Sequence, residues 1–266
     1  MTLKNFPTMN LRNSLLILFT FAVLACQPPA PKEKSLSVKH NYIILLDLSD
    51  RIIVQPDQPA RDKEIIKAIY KLFEQRVKKE LYIKSRDEIK VVIAPQKGSG
   101  LQTDVFEEKL YVNMENIQNI FRRPKEEERR TAFNEALDDL YKKAEFSDVP
   151  EEYYGADIWK YFYEDLATDY SNDTLTENFL FILTDGYPIV GKDLKKLQPV
   201  KTAFPDLHIV LMEASPREKD LEWDHIMETW KQWFDSMNIK DYTFIKRKAI
   251  SKEIEQVEDI VGAGNK

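Results

Sequence analysis

The fold is decided by the stretch Tyr42-Ile43-Ile44-Leu45-Leu46-Asp47-Leu48-Ser49-Asp50-Arg51. Five apolar residues run without a break and are followed by two carboxylates and a hydroxyl. A continuous apolar run of this length is typical of a strand buried on both faces, as in the middle of a parallel sheet. Its polar end then lies at the C-terminal edge of that sheet, where open α/β folds bind their ligands.

A second stretch has the same form. The apolar run Phe179-Leu180-Phe181-Ile182-Leu183 leads directly into Thr184-Asp185-Gly186. Two buried strands therefore each deliver an aspartate, Asp47 and Asp185, to one edge of the sheet. Two carboxylates that meet there repel each other unless a divalent cation, a basic side chain or a proton neutralises them. Oxygen ligands of this kind suit a hard cation such as Mg²⁺ rather than zinc.

Strands alternate with helices along the rest of the chain. Apolar runs predict strands at 89–94, 207–212 and 242–245, and helical periodicity predicts helices at 61–80, 112–121, 131–144, 190–204, 221–237 and 250–261. This alternation indicates an α/β fold with a doubly wound, mostly parallel central sheet flanked by helices, as in Rossmann-like proteins. The domain is expected to span 38–262 and to carry a helical insertion at about 145–178. The aromatic residues of the insertion either pack on the domain or overhang the site.

The first 37 residues differ from the rest in composition. Lys4 and Arg12 precede an apolar segment that is too short to cross a bilayer comfortably, as in a signal peptide covering residues 1–25. The segment ends in Val23-Leu24-Ala25-Cys26, which resembles a bacterial lipobox. The resemblance implies that Cys26 is lipidated, carries palmitate-type acyl chains and anchors the protein to the cell envelope. Gln27 stands where enteric-type sorting has an aspartate to keep lipoproteins at the inner membrane, so the outer membrane is preferred. A plain signal peptide or a single anchor helix is the alternative. Residues 26–37 are rich in proline and predict a tether.

Composition restricts the function. The chain has 266 residues, of which 43% are hydrophobic, and this is enough for one folded domain. Its formal net charge of −6 argues against a nucleic-acid partner. The three histidines are dispersed and no Gly-x-Ser-x-Gly occurs, so neither zinc hydrolysis nor serine catalysis is supported.

Three motifs occur in an order that resembles von Willebrand factor type A domains. Asp47-Leu48-Ser49-Asp50-Arg51 is similar to the family's Asp-x-Ser-x-Ser, Thr131 to the threonine that leads a helix, and Leu183-Thr184-Asp185-Gly186 to the aspartate that ends the fourth strand. The resemblance implies a metal-ion-dependent adhesion site that holds Mg²⁺ or a similar divalent cation. In it, Ser49 and Thr131 supply hydroxyl oxygens, while Asp47 and Asp185 act through water and charge. An acidic side chain of a partner protein completes the coordination.

The chain departs from the family pattern at two positions, which leaves alternatives open. Arg51 stands where the family has its second serine, and Arg130 stands before the threonine. Arg51 either forms an ion pair with the two carboxylates, which would leave a metal-free scaffold, or turns away while Asp50 or water completes the metal site. A Mg²⁺-dependent phosphohydrolase is the third alternative, although no lysine can be assigned to it. A non-enzymatic, protein-binding module is the expectation.

Overall fold

The computed structural model describes residues 37–96, 101–145, 155–188, 197–214 and 220–263. These residues all belong to one compact unit, Ser37–Lys266. The predicted signal peptide, the lipidation site Cys26 and the tether up to residue 36 lie outside the described residues. None of the helices in the described ranges is both long enough and apolar enough to span a bilayer.

A six-stranded sheet forms the centre of the domain. Its strands are β1 (Lys39–Leu46), β2 (Glu88–Ile93), β3 (Tyr111–Asn113), β4 (Thr176–Leu183), β5 (Leu207–Met212) and β6 (Tyr242–Ile245). They lie in the order β3-β2-β1-β4-β5-β6, and only the edge strand β3 is antiparallel. The predicted fold class, a doubly wound and mostly parallel α/β fold, is confirmed.

Helices cover both faces of the sheet. The described residues form α1 (Arg51–Val54), α2 (Gln58–Lys79), α3 (Asp104–Lys109), α4 (Arg122–Glu145), α5 (Ile158–Glu164), α6 (Leu166–Asp169), α7 (Asp220–Ser236) and α8 (Ile250–Ala263), with a 3₁₀ turn at Asn119–Phe121. Side chains of α2, α4 and α8 share a core with one face of the sheet, and those of α5, α6 and α7 share a second core with the other face. The alternation of side chains along β1 decides which core each residue enters: Ile44 enters the first and Ile43 the second.

Two predicted helices are wrong in whole or in part. The segment 112–121 contributes to β3 and the 3₁₀ turn, because Val112 pairs with Ile89 at the sheet edge and tertiary pairing outweighs local periodicity. Pro124 lies in the first turn of α4, where its missing N–H is not needed, so it helps to start a helix. Of the predicted helix 190–204, residues 197–204 are not helical and 190–196 lie outside the described residues.

The helical insertion packs on the domain. Ile158, Tyr161, Phe162 and Leu166 are buried in the second core, as the first interpretation of the insertion predicts. The backbone N–H of Trp159 also donates to the carbonyl of Pro188 (3.0 Å), in the loop that follows Asp185. Residues 146–154 of the insertion lie outside the described residues.

The end of α2 predicts a stabilising substitution. Leu81 follows the helix with φ +53°, and the bonds from its N–H to the carbonyl of Lys78 and from Tyr82 N–H to that of Val77 (both 2.9 Å) form a Schellman motif. Glycine is favoured at this left-handed position because it has no Cβ. We expect Leu81→Gly to raise the free energy of unfolding by about 0.5–1 kcal/mol, as measured by urea denaturation. Leu81→Ala keeps the Cβ and should bring no such gain; equal stabilisation by both variants would contradict the explanation.

Candidate functional site

Asp47 is held at the C-terminal edge of the sheet by the pairing of β1 with β4. Leu46 pairs with Leu183, and the N–H of Asp47 donates to the carbonyl of Leu183 (3.0 Å). The side chain of Asp47 is buried, and its Oδ1 accepts the backbone N–H of Ser49 (2.9 Å). The carboxylate thus has a fixed orientation before any ligand arrives.

Thr184 joins the two aspartates. Its hydroxyl donates to Oδ2 of Asp47 (2.8 Å), accepts the N–H of Gly186 (3.2 Å) and lies 3.5 Å from Oδ1 of Asp185. Oδ2 of Asp47 and Oδ1 of Asp185 both lie within 3.5 Å of the same hydroxyl oxygen, so the two carboxylates are close neighbours. The predicted meeting of Asp47 and Asp185 at one sheet edge agrees with this geometry.

The meeting point is the topological switch of the fold. From β1 the chain continues to β2 on one side, whereas from β4 it continues to β5 on the other. Because the connections diverge there, a crevice opens between the carboxyl ends of β1 and β4, which is the usual ligand position in open α/β sheets. Asp47 and Asp185 flank this crevice.

The electrostatics of the pair are those of a site with excess negative charge. Burial raises the pKa of Asp185 to about 7, and the charge of Asp47 adds to the effect. The N–H of Tyr187 (3.1 Å from Oδ1) and the charge of Arg51 lower the pKa, but do not balance these two causes. Asp50 contributes further negative charge, so Asp185 holds a proton at neutral pH more readily than an ordinary aspartate.

The turn after Asp185 requires glycine. Gly186 has φ +109°, and a Cβ built there would lie 3.0 Å from Cγ2 of Ile226 on α7. The carbonyl of Gly186 accepts the indole N–H of the buried Trp230 (2.8 Å). Trp230 and Trp233 are core residues, as predicted for the apolar stripe of this helix, and Trp230 also holds the Asp185 turn in place.

Arg51 does not lie between the two carboxylates. It is buried, and its guanidinium forms a two-pronged ion pair with Asp62 on α2 (Nη2–Oδ2 2.6 Å, Nη1–Oδ1 3.3 Å). It also donates to the main-chain carbonyls of Asp47 (2.7 Å) and Leu183 (3.2 Å). Burial lowers the pKa of Arg51, but the carboxylates of Asp62 and Asp47 outweigh burial and leave it above its usual range. The ion pair of Arg51 with Asp47 and Asp185, one of the two alternatives from the sequence, is therefore not formed, and Arg51 pairs with Asp62 instead.

A buried polar network extends from this ion pair. Oδ2 of Asp62 accepts the hydroxyl of Tyr141 on α4 (2.9 Å), and Gln58 donates to Asp62 (2.8 Å) and Glu213 (2.7 Å). Arg61 then joins Glu213 (2.7 Å) to Glu253 on α8 (2.8 Å). The network ties three helices to the sheet edge beneath the two aspartates.

The mouth of the site combines acidic and apolar side chains. Asp50 is partly exposed, and its main-chain carbonyl accepts the N–H groups of Ile53 (2.9 Å) and Val54 (2.8 Å). Ile53 and Val54 themselves are exposed on α1. The Ser49 hydroxyl makes no hydrogen bond to the part of the chain that the structure describes, so its oxygen is available to a ligand.

Thr131 lies apart from this group, which corrects its predicted place. It is exposed in α4, and its hydroxyl donates to the carbonyl of Glu127 (3.3 Å). Tyr141, ten residues later in the same helix, is the residue that reaches Asp62. At a rise of 1.5 Å per residue, Thr131 lies about 15 Å from Tyr141 along the helix axis. The adjacent Arg130 pairs with Glu74. The order of the motifs along the sequence suggested Thr131 as a ligand, but the position of α4 places Thr131 outside the site.

Sequence reasoning missed Thr184, Asp62 and Tyr141. Asp62 carries a readable signal, because it lies three residues before Ile65 on the apolar stripe of its helix, and a buried acid needs a basic partner. Thr184 was inside the quoted motif, but its contact with Asp47 depends on strand register. Tyr141 has no comparable signal, since its apolar spacing fits an ordinary core residue.

The donor chemistry of the site fits a hard divalent cation. Asp47, Asp185, Ser49 and Asp50 offer only oxygen atoms, which Mg²⁺ prefers. Within the described ranges, no three His, Cys, Asp or Glu side chains are placed so that they could hold a metal by themselves. A cation here would therefore need hydroxyls and water among its ligands. A cavity of about 630 Å³ lies elsewhere, beside β2 and next to Asp104 and Asp169.

Comparison with known proteins does not assign the chain. No protein-family model matches it, and a search of curated proteins finds no matching relative. The function must therefore be argued from the site itself.

Proposed function

We propose that the protein is a non-enzymatic, protein-binding module of the von Willebrand factor A type, which recognises its partner through a divalent cation at Asp47, Ser49 and Asp185. The observation that carries the proposal is the pair of carboxylates at the switch point, joined by Thr184, with the nearby guanidinium engaged by Asp62 instead. Arg51 is therefore not the group that neutralises the two carboxylates.

A bound cation would favour the ionised form of Asp185, whose pKa is raised by burial and by the charge of Asp47. Ser49 offers its hydroxyl, and Asp185 offers Oδ2, which accepts no hydrogen bond from the described residues. Asp47 would act through charge and water, since both of its oxygens already accept hydrogen bonds. The cation would supply an electrophilic position for an acidic side chain of the partner. The exposed Ile53 and Val54 add apolar area beside it, as expected for a protein contact.

The proposal also includes the location of the protein in the cell. Acyl chains on Cys26 would hold the domain at the surface of the bacterial envelope, with the outer membrane preferred. The basis is the lipobox resemblance together with the apolar segment before it. Mass spectrometry of the N-terminal peptide from the purified protein would detect the acyl chains, and an unmodified Cys26 would refute this part.

A metal titration followed by thermal unfolding tests the site. If the dissociation constant for Mg²⁺ or Mn²⁺ is one hundredth of the cation concentration, the cation should add about 2.7 kcal/mol of stability by mass action. Asp47→Ala should abolish the gain. Asp139→Asn, an exposed acid on α4, is the matched control and should keep it.

A metal-free scaffold is the second candidate, and the absence of a three-ligand acidic cluster in the described ranges favours it. No gain with either cation, in the wild type as in Asp47→Ala, would establish that alternative. Turnover of a generic phosphate ester would instead indicate the phosphohydrolase. A pull-down from solubilised envelope with and without chelator would then identify the partner.

A further inference from the structure

Four large apolar side chains are exposed together at the N-terminal edge of the sheet, opposite the candidate site. They are Leu81 (67% exposed), Ile83 (53%), Ile120 (79%) and Phe121 (50%), and we call them the basal patch. Single exposed apolar residues are ordinary, but a contiguous group on a soluble domain marks an interaction surface.

Arg122 brings the two halves of the basal patch together. It follows Phe121 directly, and its guanidinium donates to the main-chain carbonyls of Tyr82 (3.2 Å), Ile83 (2.9 Å) and Ser85 (2.9 Å). Its Nε also donates to the carbonyl of Ile117 (3.0 Å). The loop after α2 and the turn before α4 therefore form one surface.

The backbone conformation at the end of α2 keeps Leu81 of the basal patch exposed. Leu81 occupies the left-handed position that ends α2, where glycine would be more comfortable. The neighbouring Tyr82 also has positive φ, yet its ring packs against the first core. The chain therefore holds an exposed leucine in a position where neither helix capping nor core packing calls for one.

The N-terminal segment joins the domain beside the basal patch. Ser37, the first described residue, donates from its hydroxyl to Glu80 Oε2 and to the carbonyl of Lys84, both at 3.1 Å. Cys26 precedes Ser37 by eleven residues. A fully extended chain of that length spans about 36 Å. An acyl anchor at Cys26 would therefore hold the point where the chain enters the domain, beside the basal patch, within about 36 Å of the bilayer and at a high effective concentration.

The charge around the basal patch suits anionic lipid. Lys79 and Lys84 are exposed at its border, as is Arg123, whose Nε lies 3.4 Å from Oε1 of Glu127. Lys79 and Lys84 form no ion pair with the part of the chain that the structure describes. Basic side chains near a membrane surface are attracted to anionic headgroups, while apolar side chains enter the boundary with the acyl chains.

We infer that the basal patch rests on an anionic phospholipid surface and turns the Asp47–Asp185 site away from the membrane, toward a partner. This inference depends on the acyl anchor proposed for Cys26 but not on the cation. The anchor by itself would leave the domain free to rotate, whereas contact through the basal patch would give it one orientation.

The experiment measures that orientation with the full lipidated chain in vesicles of phosphatidylethanolamine and phosphatidylglycerol. Because Cys26 is the only native cysteine and would be acylated, one introduced cysteine can carry a fluorophore. Labelled Ile120→Cys should lose most of its emission to lipids with nitroxide headgroups. Ile53 is 50% exposed at the opposite edge of the sheet. A fluorophore on Ile53→Cys should therefore keep its emission.

Two further variants separate contact from tethering. In the background Leu81→Gly/Phe121→Ser, labelled Ile120→Cys should be quenched much less, although the protein still floats with the vesicles. The matched background Ile53→Ser/Val54→Ser should leave the quenching of Ile120→Cys unchanged. Replacing phosphatidylglycerol with phosphatidylcholine should also weaken quenching, because the basic border loses its counter-charge.

The outcomes distinguish the two proposals. Flotation with equal quenching at both labelled positions, or with none at Ile120→Cys, would overturn the lipid contact and leave the anchor standing. Failure to float would refute the anchor, and the inference would fall with it. Shielding of Ile120→Cys from iodide in the absence of lipid would mean that another part of the chain, or a second copy, covers the basal patch, and would also overturn it.

Discussion

Replacing Arg51 with methionine is expected to lower the free energy of unfolding by about 3–5 kcal/mol. The guanidinium is 1% exposed and is the only basic group bonded to the buried carboxylate of Asp62 among the described residues. Methionine fills a similar volume, but it leaves Asp62 with hydrogen bonds only from Gln58 and Tyr141. It also removes a donor from the carbonyls of Asp47 and Leu183. Urea denaturation at neutral pH measures the loss.

A double-mutant cycle isolates the ion pair. Arg51→Met combined with Asp62→Leu removes both charges. The double variant should therefore be about 1–3 kcal/mol more stable than the sum of the two single losses predicts. Strict additivity would mean that the two residues contribute independently. Arg123→Met, at an exposed ion pair on α4, should change stability by less than about 1 kcal/mol.

Asp185→Asn should stabilise the metal-free protein by about 2–3 kcal/mol more at pH 8 than at pH 5. The folded-state pKa of Asp185 is about 7, against a usual value of 3.8. Between these values the folded state holds a proton that the unfolded state has lost, so the free energy of unfolding falls as pH rises through that window and levels off above it. Asparagine has no charge to bury, so the variant lacks this loss.

The difference between wild type and Asp185→Asn is the quantity to measure, because other groups titrate in the same range. Burial also raises the pKa of Glu253 to about 8 and that of Asp87 to about 6. Glu253 and Asp87 are present in the wild type and in Asp185→Asn, so their contributions cancel in the difference between the two proteins. A difference that does not change with pH would contradict the raised pKa of Asp185 in its buried position beside Asp47.

The same variant has the opposite effect when a cation is present. If the site binds Mg²⁺ or Mn²⁺, Asp185→Asn removes a ligand charge and should lose the stabilisation that the cation gives to the wild type. The substitution thus raises stability without metal and removes the gain with metal. A purely structural role for Asp185 would not produce this reversal.

The sequence predicted the sheet well because buried parallel strands carry their own signal. The runs that end at Leu46 and Leu183 are apolar on both faces, and only a central strand satisfies that requirement. The same reasoning predicted β5 and β6 with the bounds observed. It failed at β3, a three-residue edge strand whose existence depends on its contact with β2.

Residue types and their order along the chain thus determined the α/β class, the central strands and the arrival of Asp47 and Asp185 at one edge, because strand periodicity and burial are local properties of a sequence. The tertiary structure alone decided that Thr184 joins the two carboxylates, that Arg51 turns to Asp62, and that Thr131 lies elsewhere. These contacts depend on strand register and on how far each helix slides along the sheet. Both are set by packing between residues distant in the chain, which no local pattern records.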